Sequence, residues 1–172
     1  MTLEQMMTDA AHAYTPPETI GSTALPVQVA HYLDGSDLLA KTQALRLSTV
    51  GAEGWPHASL LSAGDMLALP SGRIRLVIFP QSTTTANLMR DGRATVTLSL
   101  DGGMCELRMK CRRLAHPSSD VPLAFFEAEL VEVRTHKVPY AAVSGGVTFT
   151  LHEPQSVLPR WQKQIAAMKA AT

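Results

Sequence analysis

The sequence predicts a mainly β domain with flanking helices, an α+β chain built on an antiparallel barrel or sandwich. Three observations carry this expectation. Between residues 45 and 152, short strand-like runs alternate with Gly- and Pro-bearing turns about seven times, the rhythm of an all-β core. The clearest run, Met104 to Leu114, sets Cys105, Leu107, Met109 and Cys111 against Glu106, Arg108, Lys110 and Arg112, which is one buried face and one wet face. Most connections are turns, too short for the crossovers that parallel strands require. Closure into a barrel also removes exposed edges.

In chain order, Thr2-Leu-Glu-Gln opens a capping-box pattern, and Leu3, Met6, Met7, Ala10 and Ala11 share one helical face over residues 2–13. Pro16, Pro17, Gly21 and Pro26 then break regular structure, so residues 1–27 read as an amphipathic helix and linker. Ser36 is placed to cap a short helix, Asp37 to Gln43. Leu45 to Val50 alternates as a strand, Gly51 to Gly54 turns the chain, and Trp55 to Ala63 returns as the second arm of a hairpin. After the Pro70-Ser-Gly72 turn, Arg73 to Phe79 is too β-branched and short to prefer helix.

Ser82 to Asp91 reads as a helix with Leu88 and Met89 inward and Gly92 as its stop. Strands are expected at Arg93 to Leu100, Met104 to Leu114, Phe125 to Arg134 and Val147 to His152. Pro159 is expected to open a final helix with Trp161, Ile165 and Met168 on one face. The organisation is then an arm over 1–27, a barrel over 28–152 and a C-terminal helix over 153–172 packed on the barrel or on a dimer partner.

Composition excludes several functions. At 172 residues with 45% apolar content, the chain can bury a core without disulfide or metal staples. No apolar run approaches the roughly 18 residues of a membrane helix, so no membrane partner is expected. With no basic residue before Lys41, the N-terminus lacks the charged start of a secretory signal, and a cytoplasmic location is expected. Basic and acidic residues balance at 15 each and aromatics are 5%, which is no footprint for nucleic acid. Residues 1–40 hold Glu4, Asp9, Glu18, Asp34 and Asp37 and no Lys or Arg, so the rest of the chain is net basic and favours small anions. Cys105 and Cys111, about 20 Å apart along one strand, are too far apart to bridge.

Phosphate-loop, dinucleotide and nucleophile-elbow motifs are absent, and the six histidines lack metal-ligand spacing, so no metal is expected. No catalytic side chain is evident.

One segment conflicts with its own propensity. Pro80-Gln-Ser-Thr-Thr-Thr-Ala-Asn-Leu88 puts three branched threonines at a helix start, where they form helix poorly. Ser82 as a cap explains part of this. A helix N-terminus also offers free N–H groups and a positive dipole end, and clustered hydroxyls add donors for a phosphate. In a second segment, His57-Ala-Ser-Leu-Leu-Ser62, a strand places His57 and Ser59 on one face and Ala58, Leu60 and Ser62 on the other.

The succession Leu45-Arg-Leu-Ser-Thr-Val50, Trp55-Pro-His-Ala-Ser-Leu-Leu61, Arg75-Leu-Val-Ile-Phe-Pro-Gln-Ser-Thr-Thr-Thr-Ala-Asn-Leu88, Arg93-Ala-Thr-Val96 and Glu106 to Leu114 resembles the pyridoxamine 5′-phosphate oxidase-like, FMN-binding split-barrel family over roughly residues 36–152. The resemblance implies an antiparallel split β-barrel, a homodimer with FMN at the subunit interface, and an oxidoreductase whose chemistry resides in the flavin. It implies that His57, Ala58, Ser59, Leu60 and Ser62 form the first flavin-contacting strand, Phe79 and Pro80 the strand end beside the ring, Ser82, Thr83 and Thr84 the phosphate turn, and Asn87 the helix behind it.

This chain departs from the oxidases of that family. Thr83 and Thr84 stand where those enzymes put Arg and Lys on the phosphate, and His57 and Ser62 where Arg and Lys flank the first strand. Met104 replaces a glutamine that reaches the ring, and the C-terminal grip on the vitamin phosphate is missing, so pyridoxamine phosphate is not the expected substrate. Flavin affinity is therefore expected to be weaker unless another cation, such as Arg73, Arg75 or Lys110, moves in. A non-catalytic flavin, haem or deazaflavin module, or a ligand-free scaffold, are the alternatives.

Overall fold

A computed structural model describes residues 14–21, 24–115 and 120–172, and among these described residues there are eight strands and three helices. The helix expected over residues 2–13 lies outside the described residues. The strands are β1 (Glu18–Ile20), β2 (Leu45–Val50), β3 (Pro56–Leu61), β4 (Met66–Ala68), β5 (Ile74–Ile78), β6 (Arg93–Leu100), β7 (Gly103–Arg113) and β8 (Ala124–His136). The helices are α1 (Val27–Tyr32), α2 (Thr83–Arg90) and α3 (Pro154–Ala170). One antiparallel sheet runs β3-β2-β6-β7-β8-β5-β4, with β1 added on β8. It is the curled half-barrel of a split-barrel fold.

Strand β8 organises the sheet. Along one edge it pairs with β7, while β5 takes Ala124 to Ala128 and β1 takes Val133 to Thr135. A bulge between Arg108 and Met109 of β7 leaves Val131 of β8 as the extra residue and shifts which β8 side chains face inward. Ahead of it, Phe126, Ala128 and Leu130 face the barrel; beyond it, Val133 does.

Period-two alternation gives the protein two cores. Ile74, Leu76, Ile78 and Phe126 point into the barrel with Leu47, Val96 and Leu107. Val77 and Phe125, on the opposite face, pack under α3 against Trp161, Ile165 and Met168. Burying each such side chain contributes roughly 1.5–3 kcal/mol, so α3 is held by several large contacts and not by helix propensity. Arg75 shares that outer face and donates from Nη1 to the Met168 carbonyl at 2.5 Å, satisfying a carbonyl in the last turn of α3.

Several elements differ from expectation. The predicted helix Asp37 to Gln43 is a turn, because Asp37 adopts φ +46° and Ser36 spends its hydroxyl on Asp34 at 2.7 Å instead of capping. The buried Lys41 pulls the segment back to the Asp34 carboxylate at 2.7 Å. Val147 to His152 is no strand, since both edges of β2 are already taken by β3 and β6. It contributes one bridge, Gln43 to Thr148. Helix α3 begins at Pro154, whose missing N–H is harmless at the first position, and it carries Pro159 within. Met89 is exposed; the inward stripe of α2 is Thr84, Thr85, Asn87 and Leu88. Strands β1 and β4, three residues each, went unread, β1 inside the stretch expected to be a linker.

Among the described residues, no helix is long and apolar enough to cross a membrane.

Candidate functional site

The start of α2 shows how three threonines are accommodated. Ser82 is the N-cap and accepts from the Thr85 amide at 3.1 Å; its hydroxyl donates to Thr85 Oγ1 at 3.2 Å, and Thr85 donates in turn to the Phe79 carbonyl at 2.8 Å. This relay clamps the helix start onto the end of β5. Thr84 is buried and donates from Oγ1 to Ser59 Oγ at 3.3 Å, tying α2 to β3. Thr83 faces solvent. The propensity cost is therefore offset by two anchored hydroxyls. Ser82→Ala is expected to lower unfolding free energy by about 1 kcal/mol, read as a fall in urea midpoint at constant slope.

The two ends of the sheet, β3 and β4, are not hydrogen-bonded to each other, and this split holds the site. A cavity of about 360 Å³ opens between β3 (Ser59, Leu60, Leu61), the end of β5 (Val77, Ile78) with Phe79, and the start of α2 (Ser82, Thr84). Residues 120–123 and one face of α3 (Arg160, Lys163, Gln164) complete its wall. Most of the surface is apolar, with hydroxyls at the α2 end. Leu60 and Phe79 stand on the rim at 58% and 65% exposure, so they present apolar surface outward.

Of the residues expected at the site, the structure brings Ser59, Leu60, Phe79, Ser82 and Thr84 to this cavity. The others lie outside its wall. His57 is half-buried opposite Thr49 on β2, and Ala58 and Pro80 are exposed. Ser62 is buried and donates to Asp65 Oδ2 at 2.7 Å, its oxygen accepting from the Gly64 amide, which makes it a turn residue. Asn87 donates to Thr49 Oγ1 at 3.0 Å and accepts from Arg90 at 3.1 Å, locking α2 to β2.

Of the three cations considered for the anion, two are committed elsewhere and the third is absent from the cavity. Arg73 pairs with Glu129 at 3.0 Å, and Arg75 with Glu127 at 3.3 Å; Lys110, on β7, is not in the wall. Helix α3 instead supplies Arg160 and Lys163. Sequence reasoning missed them because periodicity identifies a helix and its buried stripe, not what its polar stripe meets.

The thiols offer no nucleophile. Burial pushes Cys105 up to about 11 and Cys111 up to about 12, so both stay protonated at neutral pH. Among the described residues, no group of three or more His, Cys, Asp or Glu side chains is placed to share a metal ion.

Comparison with known proteins agrees with this architecture. The chain is 36% identical over 140 residues to the uncharacterized protein YclD of Bacillus subtilis (strain 168), covering 80% of this chain and 90% of that one. It is similar in structure to a Lactobacillus delbrueckii protein provisionally described as a pyridoxamine 5′-phosphate oxidase, with a TM-score of 0.51, 14% identity, and 67% and 98% of the two chains covered. The Group A Streptococcus protein HupZ gives a TM-score of 0.50 at 13% identity, covering 70% of this chain and 100% of that one. No family model matches the sequence.

Proposed function

The chain belongs to the family of Bacillus subtilis YclD and has the split-barrel fold of pyridoxamine 5′-phosphate oxidase-like proteins, and from that premise we propose that it is an FMN-binding flavoprotein with oxidoreductase activity. The observation that carries this reading is the cavity in the split, which joins an apolar wall to a hydroxyl-bearing helix start. The residues present fit the cofactor. The free amides at the start of α2 would receive the phosphate, with the Ser82 and Thr84 hydroxyls turning to it from Thr85 Oγ1 and Ser59 Oγ. Leu60, Leu61, Val77 and Phe79 would meet the apolar part of the ring system.

When bound, FMN supplies hydride or electron transfer, and the protein contributes binding, orientation and water exclusion. That division fits a site with no thiolate and no metal cluster among the described residues. The same reading makes the protein a homodimer whose second copy covers the rim at Leu60 and Phe79.

A visible spectrum of the purified protein, before and after added FMN, is the direct test. Flavin absorbance released on denaturation supports the reading, and bleaching of the bound flavin by NADH or NADPH supports the oxidoreductase over a storage module. A Soret band would assign haem instead, and no chromophore even with excess FMN would leave an empty scaffold. Thr84→Val keeps the shape and removes the hydroxyl, and is expected to weaken FMN binding by about 1 kcal/mol in a fluorescence titration. Unchanged affinity would reduce the segment to a helix cap. Sedimentation showing only monomer at micromolar concentration would remove the interfacial arrangement.

A further inference from the structure

We propose that the flavin phosphate is gripped by Arg160 and Lys163 of α3, so that the C-terminal helix, in place of barrel strands, supplies the charge by which the site selects FMN over riboflavin. This rests on the FMN reading and adds the residues that decide its specificity.

A phosphate monoester carries between one and two negative charges at neutral pH, and hydrogen bonds from a cation are roughly twice as strong as neutral ones. Uncharged amides and hydroxyls at the start of α2 would position an anion without neutralising it. Within the cavity wall the basic residues are Arg160 and Lys163, and neither is paired with a carboxylate among the described residues. By contrast Arg73, Arg75 and Arg112 are held by Glu129 or Glu127 on β8.

The helix cannot rotate this pair away. Arg160 and Lys163 are three residues apart and share a face. Gln164, next to them, donates from Nε2 to the Gly64 carbonyl at 3.1 Å and to Asp65 Oδ1 at 2.9 Å. Trp161 and Ile165 on the adjoining stripe are buried in the second core. The helix is thus fixed in rotation from two sides while the two long cationic side chains stay free to close on a ligand.

The wall also holds acidic groups, Asp65 and Asp120. Asp65 is occupied: Oδ2 accepts from the Ser62 amide and hydroxyl at 2.8 and 2.7 Å, and Oδ1 accepts from Gln164.

The test compares FMN and riboflavin by fluorescence titration of the full chain, its R160Q/K163Q double variant and a K169Q control. Lys169 is on the same helix but outside this cavity. The double variant is expected to lose on the order of 100-fold in FMN affinity, two charge-assisted bonds, with riboflavin affinity unchanged. K169Q should match wild type for both ligands, and added salt should weaken only FMN binding to the wild type. The altered side chains are exposed, so circular dichroism and unfolding midpoint should be unchanged. If wild type binds FMN and the double variant binds it equally well, or loses both flavins alike, the grip is wrong and the FMN reading stands. If wild type binds no FMN, the FMN reading itself falls and the grip with it.

Discussion

Trp161→Ala is expected to lower the unfolding free energy by roughly 3–5 kcal/mol, among the largest costs a single core truncation produces. Trp161 is 3% exposed and meets Phe149 edge to face, ring centroids 6.2 Å apart at 74°. The backbone of Gly64 approaches it so closely that a methyl group there would lie 2.2 Å from the indole Cγ. Truncation therefore opens a void between Val77, Phe125 and Ile165 that neighbouring backbone is too constrained to fill. Urea denaturation followed by circular dichroism checks this. A loss under about 1 kcal/mol would mean that α3 is marginal to the fold. Because the same helix forms a wall of the cavity, the proposed FMN binding should weaken along with stability.

Glu127 gives the second large effect. It lies at the centre of an Arg75–Glu127–Arg112 cluster, with Arg112 at 2.6 Å and Arg75 at 3.3 Å. Burial works to raise its carboxyl group, but the hydrogen bonds and charges of Arg112 and Arg75 outweigh it and hold the group below its ordinary 4.5. A depressed folded-state value contributes stability that is fully present above 4.5 and is lost as pH falls through the folded value. The wild type should therefore weaken on acidification below that point, and Glu127→Gln should remove this component from the acid limb. Glu127→Ala at neutral pH is expected to cost roughly 3 kcal/mol, the low end for breaking a buried pair, since Arg112 is 64% exposed while Arg75 is 12% exposed. A variant as stable as wild type at neutral pH would show that solvent already screens the cluster.

Legibility from sequence followed where physical constraints are local. The β2–β3 hairpin, β7, the cap at Ser82 and the buried face of α3 are written in alternation, turn chemistry and helical spacing, and all are found. Elements decided by distant partners were not readable. Asp37 to Gln43 looks helical until Lys41 is drawn to Asp34, and Val147 to His152 looks extended until β2 proves to have no free edge. At the site, Ser59, Leu60, Phe79, Ser82 and Thr84 belong to segments whose order carried a resemblance. Ser62 and Asn87 are polar residues in those same segments whose bonds go to the turn and to β2. Arg160 and Lys163 are brought to the cavity only by the docking of α3, which begins at Pro154, far along the chain from the Arg90 end of α2, and no local pattern encodes that docking.

The fastening of α3 through Arg75 and the Met168 carbonyl has a thermodynamic corollary. Any molecule in which this helix has swung off lacks one side of its binding chamber, so the measured dissociation constant is the intrinsic one divided by the seated fraction. Reciprocity runs back along the same path: an occupant of the chamber tightens the helix by as much free energy as the seated helix lends to the occupant.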